Sequence, residues 1–271
     1  MISKSKKLIS FLKTVLREPS LINIILHDND VQQGIFQQKY QKITALPQIK
    51  IKDLTEGYSS EVVSFLLDGS SLITDLQLLT ALASRKEVSS YFEIGTWRGE
   101  SVYNVAGILN DCTTLNLSAE EIKARGWSAE YAEQHAVLSS ENPKILHLEG
   151  NTETFDFNKL NRKYDLIFID GDHSYEMVKN DTEKVFRHLV HENSIVVWHD
   201  YAYSPQKIRY EVFRAILDAL KPENHQFLYH PENTMCAVFY KGKIVTSQFD
   251  TMKFPDKIFE ISIKEKSFPT G

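Results

Sequence analysis

The stretch that most constrains the fold of this chain runs from Tyr91 to Ser101 and reads Y-F-E-I-G-T-W-R-G-E-S. A short apolar run, typical of a strand, leads into two glycines with the spacing G-x-x-x-G. The apolar residues that follow recur at the i, i+3, i+4, i+7 spacing of an amphipathic helix, and they are Val102, Val105, Ala106 and Leu109. The pattern therefore predicts a strand, a tight glycine turn and a helix N-terminus in succession.

This arrangement favours a small, anionic or strongly polar ligand, because a helix start offers free N–H groups and glycine permits close approach to the backbone. Neither the dinucleotide fingerprint G-x-G-x-x-G nor the phosphate loop G-x-x-x-x-G-K-[ST] is present. Glu93 lies inside the turn, where its carboxylate would repel a pyrophosphate but suit an ammonium group. A glycine turn that binds nothing remains the alternative at this point.

The composition is that of an ordinary globular protein, with 271 residues, 42% of them hydrophobic, and a net charge of −5. The negative charge argues against nucleic acid as a partner, since such a protein would present a basic face. Cys112 and Cys236 lack any metal-type spacing and predict reduced thiols in a cytoplasmic protein. No apolar run reaches the roughly 18 residues that span a bilayer, and no signal peptide is recognisable.

The N-terminal segment carries a separate pattern. An apolar stripe at helical spacing is formed by Leu8, Phe11, Leu12, Val15 and Leu16. Lysines and Arg17 face elsewhere, and Pro19 ends the helix. A basic amphipathic helix of this kind can lie on an anionic membrane surface, which would make the protein peripheral at the inner face of a membrane. The alternative is packing on the core or on a second subunit. Residues 27–55, rich in glutamine, are interpreted as a connector with little structure.

From residue 59 onward the pattern predicts two helices and then alternating strands and helices. The first helix covers residues 59–69 and the second is capped by Ser70 or Ser71. The strands are predicted at Tyr91–Ile94, Thr113–Leu117, Lys144–Leu148, Asp165–Ile169, Ser194–Trp198, Gln226–Tyr229 and Met235–Tyr240. The fold class is α/β, a Rossmann-like doubly wound seven-stranded sheet that is mostly parallel, with its last strand antiparallel. The expected divisions are 1–55 as N-terminal helical extension and connector, 56–245 as the domain, and 246–271 as a tail packed on the domain or a partner subunit.

Two predicted strand ends carry acids and imidazoles. Asp170, Asp172 and His173 follow one strand, and His199 and Asp200 follow the next. Neighbouring strands lie about 4.8 Å apart, so these groups can converge. Carboxylate oxygens with one or two imidazoles suit a divalent cation such as Mg²⁺, Mn²⁺ or Fe²⁺. Helix capping and turn formation are the alternative, above all for Asp172.

Three segments together resemble a known family. They are F-E-I-G-T-W-R-G-E-S at residues 92–101, D-L-I-F-I-D-G-D-H-S-Y-E at 165–176 and V-W-H-D-Y at 197–201. They resemble class I S-adenosylmethionine-dependent methyltransferases, most closely the macrocin and cephalosporin-cluster O-methyltransferases (methyltransferase family 24-like) and more distantly catechol O-methyltransferase. The resemblance covers roughly residues 70–240, and its most specific part is I-D-G-D-H-S-Y-E.

The resemblance implies a role for each matching residue. The residues implied to bind the cofactor S-adenosylmethionine are Glu93, Gly95, Thr96, Trp97, Gly99, Ser101, Asn116, Gly150, Asn151 and Thr152. Ser101 would lie near the methionine carboxylate, and residues 150–152 would line the adenine. Asn116 stands where the family has a ribose-binding acid, so the charge assistance of a carboxylate is missing there. The implied metal ligands are Asp170, His199 and Asp200, with Mg²⁺ as the first choice of metal. The implied catalytic residues are His173, as general base, and Asp170.

These roles predict an O-methyltransferase that acts on a hydroxyl of a small molecule or glycan. A divalent metal would chelate a vicinal diol and lower the pKa of one hydroxyl. An imidazole is well matched to accept its proton near neutral pH. Three alternatives stay open: a metal-free methyltransferase, a catalytically silent scaffold that docks through its N-terminal helix, and, disfavoured by the missing fingerprint, a nicotinamide-dependent oxidoreductase. A homo-oligomer is compatible with the sequence.

Overall fold

The computed structural model describes residues 4–55 and 59–268. Ahead of the main domain it contains α1 (Lys4–Arg17), α2 (Leu21–Leu26), α3 (Asn29–Lys39), β1 (Gln48–Ile49) and α4 (Ile51–Leu54). The next elements are α5 (Ile73–Ala83), β2 (Tyr91–Ile94), α6 (Glu100–Ala106), β3 (Cys112–Asn116), α7 (Ala119–Ala124), α8 (Ala129–Glu133) and β4 (Ile145–Glu149). The last elements are β5 (Leu166–Ile169), α9 (Tyr175–His188), β6 (Ile195–Trp198), β7 (Ala202–Ser204), β8 (Lys207–Ile208), α10 (Tyr210–Ala219), β9 (Leu228–Pro231) and β10 (Ala237–Phe239).

The main sheet has eight strands in the order β1-β9-β10-β6-β5-β2-β3-β4. Strands β4, β3, β2, β5 and β6 are mutually parallel, and β10 runs antiparallel to β6 and β9. The predicted Rossmann-like α/β class, with an antiparallel strand late in the chain, is therefore confirmed. The eighth strand is the two-residue β1, which pairs in parallel with β9 and was not foreseen.

The central strands β2, β5 and β6 are buried along their whole length, because helices cover both faces of the sheet. Side chains that alternate along each strand enter two separate cores. One core joins Phe92, Ile167 and Trp198 to α9 and α10. The other joins Tyr91 and Phe168 to α5 and α6. Because the five neighbouring strands β4, β3, β2, β5 and β6 are parallel, their carboxyl ends lie side by side at one edge of the sheet.

The segment interpreted as a connector, residues 27–55, is more ordered than predicted. The Asp28 carboxylate accepts hydrogen bonds from the backbone N–H groups of Asp30 and Val31 and so caps α3. Phe36 of that helix is fully buried and stacks on Phe213 of α10, with ring centroids 4.6 Å apart. The prediction of little structure was wrong because the glutamine-rich surface of α3 masked its single strong apolar contact.

The first of the two predicted helices, residues 59–69, is absent from the described part, residues 59–67 having no regular secondary structure. The backbone N–H groups of Val63 and Phe65 donate to the side chains of Asn104 and Glu100, at 2.8 and 2.6 Å. These donors are thereby lost to any helical i−4 carbonyl. The second predicted helix is present as α5, and Leu72 rather than a serine precedes it.

No residue of α1 or α2 is buried. Within the described residues, no helix is both long enough and apolar enough to cross a membrane. Residues 253–268 of the tail have no regular secondary structure. Lys253 and Lys257 pair with Glu232, and Phe268 meets Phe65 edge to face.

Candidate active site

A cavity of about 830 Å³ lies at the carboxyl ends of the parallel strands, where open α/β sheets bind their ligands. Nine residues predicted as site residues line it: Gly95, Trp97, Asn116, Asn151, Thr152, Asp170, His173, His199 and Asp200. The other five, Glu93, Thr96, Gly99, Ser101 and Gly150, do not line the cavity. Glu93 lies in β2, Thr96 and Gly99 lie in the β2–α6 turn, Ser101 lies at the start of α6, and Gly150 follows β4.

The glycine turn after β2 is shaped by internal contacts. Gly95 and Gly99 have φ values of +87° and +83°, which favour glycine. A Cβ at Gly95 would lie 2.1 Å from the carbonyl oxygen of Asp170, and one at Gly99 would lie 2.2 Å from Oγ of Ser139. Trp97, between them, also has a positive φ of +43°. Neighbouring protein atoms therefore leave no space for a Cβ at either glycine. Gly95 brings the turn into direct contact with the residue that follows β5.

Beneath this turn, Glu93 is fully buried. The Tyr91 hydroxyl donates a hydrogen bond to Oε2 of Glu93. Oε1 has no hydrogen bond of normal geometry among the described residues, and the Ser101 side chain is the other group that stabilises the charged form of this carboxyl. Burial raises the pKa of this carboxyl to about 8. A buried carboxylate oxygen without a partner fits a ligand that brings a positive charge or N–H donors to the turn.

Asn116, at the end of β3, is held by its neighbours. Its Oδ1 accepts from the backbone N–H of Thr96 at 3.3 Å, and its Nδ2 donates to the Leu117 carbonyl at 3.0 Å. Nδ2 also lies 2.9 Å from Nδ1 of His135. Burial lowers the pKa of His135, so the neutral imidazole can accept this hydrogen bond. An amide suits these three contacts, since a carboxylate could not donate to the Leu117 carbonyl.

An aromatic wall, which the sequence analysis did not identify, flanks Asn116. The Trp97 and Tyr131 rings are 4.5 Å apart, and Trp127 stacks on Tyr131 at the same distance. His135 meets both Trp97 and Tyr131 edge to face. All four residues line the cavity, and the half-exposed Trp127 offers a flat surface to a ring-shaped ligand. The short helix α8 that carries Tyr131 gave no periodic signal in the sequence.

The predicted convergence of acids and imidazoles is present on the opposite side of the cavity. Nδ1 of His173 lies 3.0 Å from Oδ2 of Asp200. Nδ1 of His199 lies 3.1 Å from Oδ1 of Asp170 and 3.0 Å from Oδ2 of Asp200. Asp200 has a φ of +56°, an unfavourable conformation for a residue with a Cβ. This backbone turn directs its carboxylate toward the two imidazoles.

A fifth group, Asp75 of α5, was missed by the sequence analysis. Its carboxylate is fully buried, and Oδ2 lies 3.3 Å from Nε2 of His199. Oδ1 of Asp75 accepts from the backbone N–H of Met235 at 2.9 Å, and Oδ2 accepts from that of Leu72 at 3.0 Å. Asp75 thus holds the imidazole of His199 at Nε2, the nitrogen that does not contact Asp170 or Asp200. It lies far from the other acids in sequence, on a helix whose pattern indicated only core packing.

The charge states follow from these contacts. Burial alone would lower the pKa of His199, but Asp170, Asp200 and Asp75 raise it well above its usual value. Burial raises the pKa of Asp170. Burial acts to raise the pKa of Asp200, but the hydrogen bond to His199 and the charges of His199, His173 and Arg209 together outweigh it and lower that pKa to about 2. His199 is thus buried with carboxylates on both nitrogens, which favours its protonated form.

A cation could be held by Asp170, His173 and Asp200, whose ligand atoms all lie within 4.8 Å of one another. This set has two members in common with the predicted Asp170, His199 and Asp200, and it contains His173 in place of His199. Both nitrogens of His199 already lie within 3.3 Å of carboxylate oxygens, an arrangement that fits a supporting position better than a ligand position. Carboxylate and imidazole donors of this kind suit a divalent cation.

Comparison with known proteins identifies one family. Residues 92–201 match the model of a family described as a methyltransferase domain. The match begins at β2 and ends just after Asp200, so it contains the glycine turn and both strand ends of the acid cluster. The match covers less than half of the chain, and it agrees with the predicted resemblance to a methyltransferase. No curated protein matches the chain.

Several solved structures are similar in part. The O-methyltransferase from Bacillus cereus, in complex with SAH, aligns with 65% of this chain and 84% of its own, at 15% identity and a TM-score of 0.44. Podospora anserina PaMTH1, also SAH-bound, aligns with 64% and 80%, at 16% identity and a TM-score of 0.45. Streptomyces venezuelae DesVI aligns with 48% and 49%, at 15% identity and a TM-score of 0.34. The chain thus spans about half the length of DesVI.

Proposed function

We propose that this chain, whose residues 92–201 match a methyltransferase domain, transfers the methyl group of S-adenosylmethionine to a hydroxyl of a small molecule or glycan. The observation that carries the proposal is the backbone contact of Gly95 with Asp170. It joins the predicted cofactor turn to the acid and imidazole cluster within one cavity. We take the domain to be residues 56–245, with residues 1–55 as an extension and 246–271 as a tail.

The residues present fit the cofactor. Glu93 has a carboxylate oxygen without a partner, and Ser101 follows it at the start of α6; both suit the charged methionine end. Asn116 and the Trp97 side of the aromatic wall suit the ribose. Asn151 and Thr152 line the cavity beyond β4, on the side proposed for adenine. When bound, the cofactor supplies an electrophilic methyl group, and the chain has to supply a deprotonated oxygen.

His173 is the proposed general base. Its side chain is 46% exposed toward the cavity, and Asp200 holds Nδ1 at 3.0 Å. That contact orients the ring and leaves Nε2 to accept the proton of an acceptor hydroxyl. The carboxylates of Asp170 and Asp200 would hold a divalent cation, which would lower the pKa of a chelated hydroxyl. Two arrangements compete with this one. In the first, His173 is a third ligand of the cation. In the second, the reaction is metal-free and the His173–Asp200 pair acts as the base.

Calorimetric titration with S-adenosylmethionine tests the proposal without knowledge of the acceptor. We expect saturable binding to the full chain and a loss of at least tenfold in affinity in Glu93→Gln. Glu260→Gln, at an exposed position in the tail, should bind as the unsubstituted protein does. Absence of binding heat would exclude the methyltransferase and favour a scaffold.

Titration with Mg²⁺ or Mn²⁺ tests the cation separately. We expect binding that is lost in Asp200→Asn and retained in Asp172→Asn. Asp172 lines the same cavity, but its carboxylate accepts the backbone N–H of Ser174 at 2.7 Å, in the manner of a turn former. Equal weakening in both variants would argue for a diffuse acidic surface and, with it, for the metal-free reaction.

A further inference from the structure

The N-terminal helices present an apolar surface that the rest of the described chain leaves uncovered. In α1, Leu8, Ile9, Leu12 and Leu16 are each at least half exposed, Leu16 reaching 81%. In α2, Ile24 is 68% exposed and Leu26 53%. Isolated exposed apolar residues are ordinary, but two successive helices with none buried form a patch of the kind that binds a partner or a membrane.

The charges of α1 identify what the patch fits. At about 100° per residue, the apolar side chains occupy one half of the helix surface, and Lys7, Lys13 and Arg17 lie on the other half. The helix contains five cationic residues and no acid, within a chain whose net charge is −5. A basic face beside an apolar face matches the interface of an anionic bilayer, where the apolar side chains enter the acyl boundary and the lysines meet lipid phosphates.

A second copy of the chain fits the patch less well. A two-fold contact through the apolar half of α1 would cover the leucines and leave Lys7, Lys13 and Arg17, on the other half, outside the contact. An anionic lipid surface engages both halves of the helix. The charge pattern therefore selects the lipid surface over self-association.

The patch also adjoins the cavity. His27 immediately follows α2, and its Nδ1 lies 3.0 Å from Oε1 of the buried Glu211. Both residues line the cavity, and Glu211 is two residues from Arg209, whose guanidinium lies 3.9 Å from the Asp200 carboxylate. The contact ties the end of α2 to the wall on which the acid cluster lies.

We propose that α1 and α2 bind the surface of a membrane that contains anionic lipid and hold this side of the cavity next to it. The docking goes beyond the proposed methyl transfer and requires none of its residues. A lipid-bound chain would meet acceptors that are concentrated at that surface.

Vesicle co-sedimentation of the full chain tests the docking. We expect binding to phosphatidylcholine vesicles that contain phosphatidylglycerol, and at least tenfold weaker binding to vesicles of phosphatidylcholine alone. Lys7→Glu/Lys13→Glu should weaken the binding to anionic vesicles at least tenfold, and so should Leu12→Ser/Leu16→Ser. The matched control, Lys86→Glu/Lys159→Glu, makes the same change in net charge at exposed positions outside the helices and should bind normally.

A fluorescent label locates the contact. Cys112 and Cys236 are buried, so an environment-sensitive fluorophore can be attached at Ile24→Cys and, as a control, at Lys86→Cys. Anionic vesicles should shift the emission of the first label to shorter wavelength and leave the second unchanged.

Four results would overturn the proposal: equal binding to neutral vesicles, equal loss in the charge control, no shift of the Ile24 label, or absence of vesicle binding. If vesicles are not bound and a dimer forms that Leu12→Ser/Leu16→Ser dissociates, the patch belongs to a second copy. Calorimetry with S-adenosylmethionine on the same samples keeps failure of the docking distinct from failure of the proposed enzyme.

Discussion

Glu93 makes the stability of the protein dependent on pH. Its pKa is about 8 in the folded chain, against 4.5 for the ordinary carboxyl. Between these values the folded state holds a proton that the unfolded state has released. Stability therefore falls as the pH rises through this window, by up to about 1.4 kcal/mol per pH unit.

Urea unfolding at pH 6 and pH 7.5 measures this contribution. We expect the unsubstituted protein to lose stability between the two values and Glu93→Gln to lose clearly less, because a glutamine can accept the Tyr91 hydrogen bond without titrating. Glu260→Gln should behave as the unsubstituted protein does. An unchanged slope in Glu93→Gln would show that the carboxyl is not protonated in the folded state.

The backbone conformation of Asp200 predicts different stabilities for two substitutions at this position. With φ at +56°, asparagine is tolerated, whereas alanine costs roughly 1 kcal/mol more from backbone strain alone. We expect Asp200→Asn and Asp200→Ala both to lose cation binding, and Asp200→Ala to unfold at the lower denaturant concentration. Denaturant midpoints measured in the absence of added metal check this, and equal midpoints would contradict it.

Asn116 shows how a residue can depart from a family pattern for local reasons. The family expectation is an acid that binds the ribose. In the structure the amide donates to the Leu117 carbonyl and lies within hydrogen-bonding distance of neutral His135. Sequence comparison could identify the departure, but its reason depends on His135, nineteen residues away in an irregular segment.

The β2–α6 turn and the end of β5 behave as one element, because a Cβ at Gly95 would overlap the Asp170 carbonyl. We expect Gly95→Ala to destabilise the fold by more than about 2 kcal/mol, from positive-φ strain together with the displacement of β5. The matched control is Gly34→Ala in α3, where nothing lies within 4 Å of the new Cβ. A helical glycine at such a site should gain about 0.5–1 kcal/mol on substitution.

Equilibrium unfolding of the two variants gives both values. A Gly95→Ala protein as stable as the unsubstituted chain would mean that the turn and β5 move independently. A destabilised Gly34→Ala would mean that α3 is not a regular helix at that position.

Among the secondary-structure elements, the strands of the main sheet could be predicted from the sequence. The segments that precede β2, residues 27–55 and 59–69, could not. A strand that is buried on both faces of the sheet, such as Leu166–Ile169, is apolar along its whole length. Such a run can be recognised from the local sequence alone. The residues around Val63 have similar apolar content but form no helix, because Asn104 and Glu100 bind their backbone N–H groups. Such tertiary competition for backbone donors leaves no local pattern.

Among the described residues, the tail from residue 253 onward is a long exposed segment without regular secondary structure. Ile258 is 94% exposed and Phe254 87%. Ion pairs with Glu232 hold only Lys253 and Lys257. We expect limited trypsin digestion to cut first after Lys264 or Lys266, and mass spectrometry of the early products to show an otherwise intact chain. Earlier cleavage after Lys179, which lies in α9, would contradict this order.

The candidate site was predictable as far as sheet topology determines it. Asp170 and Asp200 follow adjacent parallel strands, so their proximity follows from the fold class. His27 and Tyr131 line the same cavity, and Asp75 contacts His199; all three come from segments outside the strand ends, and only packing brings them there. The sequence therefore predicted the groups proposed to carry the chemistry and missed those that position or surround them.

The contact of Gly95 with Asp170 has a consequence for how such a site could change over time. The backbone of Gly95 lies against the backbone of Asp170. The distance between the β2–α6 turn and the acid cluster is therefore set by backbone atoms and not by side chains. Side chains around the rim could be exchanged, and a different hydroxyl admitted, without altering that interval. In the proposed reaction, the backbone would therefore set the distance between the methyl group and the acceptor site. The side chains that line the cavity would determine which acceptor binds.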